Sequence, residues 1–103
     1  MVTRLTKGRL KVTISETRAE LGEVAAREVG AYIRSLLETK PEVNIIFASA
    51  PSQNDFLANL LLEEIDWSRV NAFHMDEYIG IDPHAPQAFG QFLRDRIFSK
   101  KTF

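Results

Sequence analysis

Leu10, Val12 and Ile14 alternate with Lys11 and Thr13, the two-residue period of a strand with one buried face, short enough to lie at a sheet edge. The period then lengthens. Thr17-Arg18-Ala19-Glu20 reads as a capping box, in which a Thr oxygen accepts from the third helical N–H and Glu20 reaches back. Leu21, Ala25, Val29, Tyr32, Ile33, Leu36 and Leu37 follow at three- and four-residue intervals, an apolar stripe for one helix face. That helix is expected to stop near Lys40-Pro41, because proline disfavours a helical residue before it. Val43, Ile45, Ile46, Phe47 and Ala48 form a nearly continuous apolar run, which predicts a central strand covered by helices on both faces. Ser49-Ala50-Pro51-Ser52 breaks it, and Ser52-Gln53-Asn54-Asp55 resembles a second capping box, opening a helix through Phe56, Leu57, Leu60, Leu61 and Leu62. Val70 to Met75 predicts the next strand, completing a right-handed βαβ unit. A loop rich in Gly, Pro, Asp and His runs from Asp76 to Gln87, and Phe89, Phe92, Leu93, Ile97 and Phe98 mark the face of a last helix.

This order predicts α/β class: a Rossmann-like, three-layer αβα arrangement with a mainly parallel sheet. The 103 residues, 45% of them hydrophobic, read as a single α/β domain without linker, repeat or low-complexity tract. A sheet of about three strands lies below the usual size, and the series stops after a helix, before the strand that should follow; the fold therefore reads as truncated. An exposed sheet edge at this size favours a homo-oligomer.

Charge narrows the partners. The net charge is -1, with 13 basic and 14 acidic residues, so no basic field for nucleic acid or an anionic membrane stands out, and small-molecule chemistry is the default. There is no cysteine, which removes disulfides and thiolate metal sites and suits a reducing compartment. Neither a leader pattern nor an apolar run long enough for a bilayer is present, and the expectation is a cytoplasmic protein.

In open α/β sheets ligands collect beyond the carboxyl ends of the strands. Two segments fall there: the turn from Ser49 to Asp55, and Asp76-Glu77-Tyr78. Ser49, Ser52, Gln53 and Asn54 supply side-chain donors beside helix N–H groups, a cradle for a sugar phosphate or an ordinary helix cap. The turn has no glycine and no Lys or Arg close in sequence, and Asp55 would compete with an anion. Asp76 and Glu77 follow a buried-looking strand, placing a proton-transfer base or a solvated acidic turn at the ligand edge. Tyr78 either orients a carboxylate or plugs the core. His74, without a second ligand at metal spacing, reads as structural, His84 as a loop residue facing water, and neither a metal nor a cofactor is expected.

Phe73-His74-Met75-Asp76-Glu77-Tyr78-Ile79-Gly80 resembles the signature of the glucosamine-6-phosphate deaminase/isomerase family, Phe-x-Met-Asp-Glu-Tyr-x-Gly. The resemblance covers Val43 to Phe98, running on through Pro86 and Phe92-Leu93, while Met1 to Lys40 fits in pattern only. It implies conversion of a ring-opened 2-amino-sugar phosphate to a ketose phosphate, with Asp76 as the base carrying a proton between C2 and C1. Glu77 is implied as a catalytic support, and Tyr78 with the Ser49–Asn54 turn as substrate contacts. Three departures stand out. The family's Gly-containing, Thr/Ser-rich phosphate turn is here Ser49-Ala50-Pro51-Ser52-Gln53, Phe89 replaces a frequent tyrosine, and Ala85 and Ala88 replace polar loop positions. The family's later ring-opening and phosphate-gripping residues have no counterpart in these residues, so the 103-residue chain alone is expected to be inactive. The alternatives are a 6-phosphogluconolactonase-like hydrolase on the same sheet, and a non-catalytic sugar-phosphate-binding fragment.

Overall fold

The long helix predicted after Thr17 forms, and its start shows how local chemistry fixes a boundary. In a computed structural model describing residues 1–103, α1 spans Arg18–Leu37. The Thr17 hydroxyl accepts from the Glu20 amide at 3.1 Å. Glu20 reaches back one residue further than a capping box requires, its Oε1 accepting from the Glu16 amide at 3.0 Å. The helix ends at Leu37, before the predicted Lys40-Pro41, because Arg69 gathers the chain there. Its guanidinium donates to the carbonyls of Leu37, Lys40 and Pro41 at 2.8, 2.6 and 2.9 Å, satisfying acceptors that a helix terminus leaves open.

The buried face of α1 differs from the predicted stripe. Gly22, Val24, Ala26, Gly30 and Ile33 are buried, whereas Leu21 and Tyr32 stay exposed. Gly22, Ala26 and Gly30 recur every fourth residue, so one face carries almost no side chain and α2 (Asn54–Leu60) settles against it. A Cβ on Gly22 would lie 2.6 Å from the Asp55 Cβ and 2.8 Å from its carbonyl carbon; one on Gly30 would lie 2.5 Å from a Glu63 oxygen. Close approach, not bulk, decides which face is inside.

Two separate two-stranded sheets replace the expected three-stranded one. β1 (Val2–Lys7), which the alternation pattern did not predict, pairs antiparallel with β2 (Leu10–Ser15) through the tight turn at Gly8-Arg9, where Gly8 takes φ +60. β3 (Val43–Phe47) and β4 (Val70–His74) are parallel, in register from Val43↔Val70 to Phe47↔His74, with α2 in the crossover. Preceding α2, Pro51–Gln53 form a 3-10 turn with no side-chain cap, so the second capping box does not form. Pro51 presets the first turn and leaves no amide there to satisfy. A second 3-10 turn, Trp67–Arg69, leads into β4, and α3 (Phe89–Leu93) runs on into a π turn at Arg94–Phe98.

One core holds this together. Ala26 and Ile33 from α1, Phe47 from β3, Leu57 and Leu60 from α2, Trp67, Val70, and Leu93 and Ile97 from the last helical segment form a single buried cluster. Fully burying each of its leucines contributes about 1.5–3 kcal/mol. Phe47, Phe98, Phe103 and Trp67 make a chain of edge-to-face rings with centroids 5.2–5.7 Å apart.

The core covers only one face of the β3–β4 pair. Val43, Phe47 and Val70 are buried and Ile45 and Ala72 half-buried, while Asn44, Ile46, Asn71 and Phe73 on the opposite face are exposed, Ile46 by 67%. The apolar run that predicted helices on both sides of β3 thus has its second face bare.

Candidate active site

Parallel pairing sends both strands toward the same sheet edge, which is what brings the two predicted segments together. The ladder continues one step past the last registered pair, the Met75 amide donating to the Phe47 carbonyl at 2.9 Å. Ser49 and Asp76 each lie two residues beyond that Phe47↔His74 pair, at the carboxyl end of the sheet where ligands collect in this architecture.

The adjacent carboxylates have different surroundings. Asp76 is exposed and makes no hydrogen bond or ion pair, leaving both oxygens open. Glu77 turns inward. Its Oε1 accepts from the Tyr78 and Phe89 amides at 3.1 and 2.9 Å, and its Oε2 accepts from the Gly90 amide at 2.9 Å. His74 Nε2 stands 3.7 Å from the same oxygen. These bonds, that from Gly90 foremost and then that from Phe89, hold the Glu77 carboxyl below the usual carboxylate range. Glu77 is thus a fixed anion at the start of α3.

Ser49, half-buried, donates through Oγ to the Phe89 carbonyl at 3.2 Å. Phe89 is therefore held from both strand ends, through its N–H by Glu77 and through its carbonyl by Ser49. The exposed Tyr78 ring lies against it with centroids 4.7 Å apart. Ser52 is exposed and Gln53 half-buried, and neither side chain makes a hydrogen bond. Asn54 Oδ1 accepts from Arg96 Nε at 2.7 Å.

Two arginines that sequence proximity hid meet this turn. Arg18, from the first turn of α1, donates to the Pro51 carbonyl and pairs with Asp55 at 3.1 Å. Asp55 is thereby neutralised in part, and the turn is less hostile to an anion than its own sequence suggests. Arg96 reaches Asn54 with its guanidinium 3.7 Å over the Phe92 ring, a stacked arrangement suited to arginine. A helix-initiating Arg18 and an Arg96 one helical turn from Phe92 were the only signals.

None of these residues encloses a cavity over Asp76. The largest hollow, about 550 Å³, runs beside β4 and is lined by Val70, Asn71, Ala72, Phe73, Phe98 and Phe103. Of the candidate site residues only Asn54 lines a hollow, the cleft between α2 and the π turn that also holds Asp95, Arg96 and Lys100. No three His, Asp or Glu side chains converge at metal-binding distance, and His84 is exposed, its amide bonded to Asp82 at 2.9 Å.

No protein-family model matches the sequence. Curated relatives do. The chain is 28% identical over 93 residues to glucosamine-6-phosphate deaminase 2 of Bacillus subtilis, covering 86% of this chain and 36% of that protein. Against glucosamine-6-phosphate deaminase of Streptococcus pneumoniae serotype 4 it is 24% identical over 94 residues, 91% of this chain and 38% of the relative. Such alignments are longer than the stretch after Lys40, so the likeness extends into the first helix. The chain spans just over a third of the length of these relatives. Among solved structures, a monomeric glucosamine-6-phosphate deaminase superposes with TM-score 0.75 at 22% identity, over 85% of this chain and 36% of that one. A 6-phosphogluconolactonase from Neisseria gonorrhoeae gives TM-score 0.73 at 21% identity, over 85% and 38%. The expected α/β class is thus the fold of known sugar-phosphate enzymes, present here in part. With the Phe73-to-Gly80 signature at the sheet edge and alignments along most of its length, the chain is similar in sequence to the glucosamine-6-phosphate deaminases and shares their fold over the part it spans.

Proposed function

We propose that this chain, as one α/β unit, carries the proton-transfer part of a sugar-phosphate isomerase or deaminase. Asp76 is the base. It takes the C2 proton of a ring-opened 2-amino-sugar phosphate as the electron pair moves toward the C1 carbonyl, then returns a proton to C1 of the enol; addition of water to the resulting C2 imine expels ammonia and leaves the ketose phosphate. The observation that carries this reading is the division of labour between neighbours: Glu77 is fully engaged by backbone amides, while Asp76, at the same sheet edge as Ser49, keeps both oxygens free. A carboxylate on a short segment tied at both sides suits a base held over one carbon pair. Ser49, Ser52, Gln53 and Asn54 line the phosphate side, with Arg18 offsetting the Asp55 charge and Arg96 adding a positive one.

Asp76 opens to solvent, so activity requires further elements to close the site, and the 103 residues alone turn nothing over. The test is a graft of this chain in place of the matching third of the Bacillus subtilis relative, followed by deuterium exchange at C2 of glucosamine 6-phosphate. Asp76→Asn is expected to lower exchange by about 10²–10⁴-fold; an unchanged rate would remove Asp76 as base. The likeness to 6-phosphogluconolactonases supports a second reading, lactone hydrolysis, and turnover of 6-phosphogluconolactone with none of the amino-sugar phosphate would select it. We also propose self-association through the bare strand face at Ile46 and Phe73 and the free strand edges, and a cytoplasmic setting suited to this substrate class. Sedimentation as monomer alone at high concentration would contradict the first.

A further inference from the structure

We propose that Glu77 is a positioning residue: it fastens the strand end carrying Asp76 to the first turn of α3, so that a contact across the loop, not local sequence, orders Asp76. The inference deepens the proposed proton transfer and rests on Asp76 being its base.

Helix α3 starts without a cap of its own. Its N-cap residue is Ala88, which has no side-chain acceptor, so the amides of Phe89 and Gly90 would be orphan donors at a partly buried terminus. Glu77 supplies both acceptors from more than ten residues upstream, at 2.9 Å each. A carboxylate is the strongest acceptor available for this, since the bonds are charge-assisted and the helix terminus favours a negative group. The ends of the loop between them are thereby joined. Ile79 to Gln87 form the mostly exposed loop between, turning at Gly80, where φ is +76, and at Asp82, whose carboxylate accepts from the His84 amide, with Arg94 donating to the Pro83 carbonyl at 3.2 Å.

Asp76 sits between two anchored neighbours. On one side Met75 is held by the Phe47 carbonyl, and on the other Glu77 is held by α3. Asp76 itself has no partner to fix it. Phe89, gripped also by Ser49 and packed on Tyr78, makes the same junction reach the phosphate-side turn. The charged or titratable group facing the Glu77 carboxylate is His74, at 3.7 Å, longer than a hydrogen bond, so the amide bonds alone fix the carboxylate.

The experiment is a pH titration of the 103-residue chain by amide NMR, with ¹⁵N relaxation, in the parent and in Glu77→Gln. In the parent, the Phe89 and Gly90 amide protons are expected to titrate together with the Glu77 carboxyl. In Glu77→Gln that titration disappears, exchange of the two amides with solvent rises about tenfold or more, and the Asp76 order parameter falls from about 0.85 toward about 0.6. In the grafted enzyme the same substitution lowers kcat by about 10²-fold with KM little changed, the signature of misplacement rather than lost binding. Amides that do not follow Glu77 in the parent, or an Asp76 equally ordered in Glu77→Gln, would overturn the proposal. Should Glu77→Gln fail to fold, the parent titration decides alone. If Asp76→Asn leaves C2 exchange intact while the amides follow Glu77, the catalytic reading has failed and the fastening stands.

Discussion

The β1–β2 hairpin and the β3–β4 edge are each fastened to a helix by a glutamate, and the fastenings differ in kind. At the hairpin, Glu20 of α1 takes the Met1 ammonium at 3.0 Å and the Glu16 amide, with Glu16 itself 3.3 Å from the ammonium and Arg4 paired to Glu28. The partners are largely solvent-exposed charges. At the β3–β4 edge, Glu77 takes backbone amides of a helix that is itself part of the core. Ion pairs in water are weak and screened, whereas bonds to fixed amides beside buried residues are not. A reacting group is better held at the core-backed edge than at the hairpin, which contributes no fully buried residue.

Perturbing the core should separate the two regions most. Leu60, fully buried between α1 and α2, is expected to cost about 2–5 kcal/mol as Leu60→Ala, read by urea unfolding. A near-neutral result would mean that the helices do not stabilise the edge. Next comes Gly22→Ala, whose new methyl meets Asp55 and Phe56 backbone; about 1–3 kcal/mol is expected, with α2 and its preceding turn shifted. Salt and acid act more gently. At about 1 M salt the Debye length is about 3 Å, and the Met1 and Arg4 contacts should loosen in amide exchange while Phe89 and Gly90 stay protected.

Both glutamates have carboxyls held below the ordinary value, Glu20 first by the Met1 ammonium and Glu77 first by the Gly90 amide. Each therefore stabilises the fold fully above the unfolded carboxylate range and loses that contribution as pH falls through its own lower value. The Met1 ammonium is raised, chiefly by Glu20, so the hairpin fastening also weakens as pH rises through the ammonium's folded value. An alkaline loss at the hairpin with none at Glu77 is the expected contrast, visible in amide shifts. The smallest effect belongs to Leu10→Ser on the hairpin, 64% exposed at Leu10 and expected within about 0.5 kcal/mol.

What the sequence made legible was local. Thr17 and Glu20 act within one helical turn, the strand at Val43 shows in its apolar run, and the Asp76-Glu77-Tyr78 segment follows a strand by simple succession. What stayed hidden depended on distance or on absence of bulk. Gly22, Ala26 and Gly30 mark a buried face by lacking side chains, which a search for large apolar residues passes over in favour of Leu21 and Tyr32. Arg69 ends α1 from across the molecule, Arg18 and Arg96 reach the Ser49–Asp55 turn from other helices, and Glu77 caps a helix it precedes by a whole loop. The failed capping box at Ser52 is the converse case, a local pattern overridden once Pro51 opens the turn. β1 escaped because its burial pattern has no alternation, its pairing resting on the Gly8 turn instead.

Proton transfer here requires Asp76 and the Ser49–Asn54 turn to serve one ligand. Amide and carboxyl NMR of the chain titrated with glucosamine 6-phosphate tests this directly. The predicted result is a saturable shift shared by Ser49, Ser52, Gln53, Asn54 and Asp76, with the Asp76 carboxyl responding and Leu10 in the hairpin silent. Shifts confined to other surfaces, such as the hollow beside β4 at Phe73 and Phe103, would contradict it.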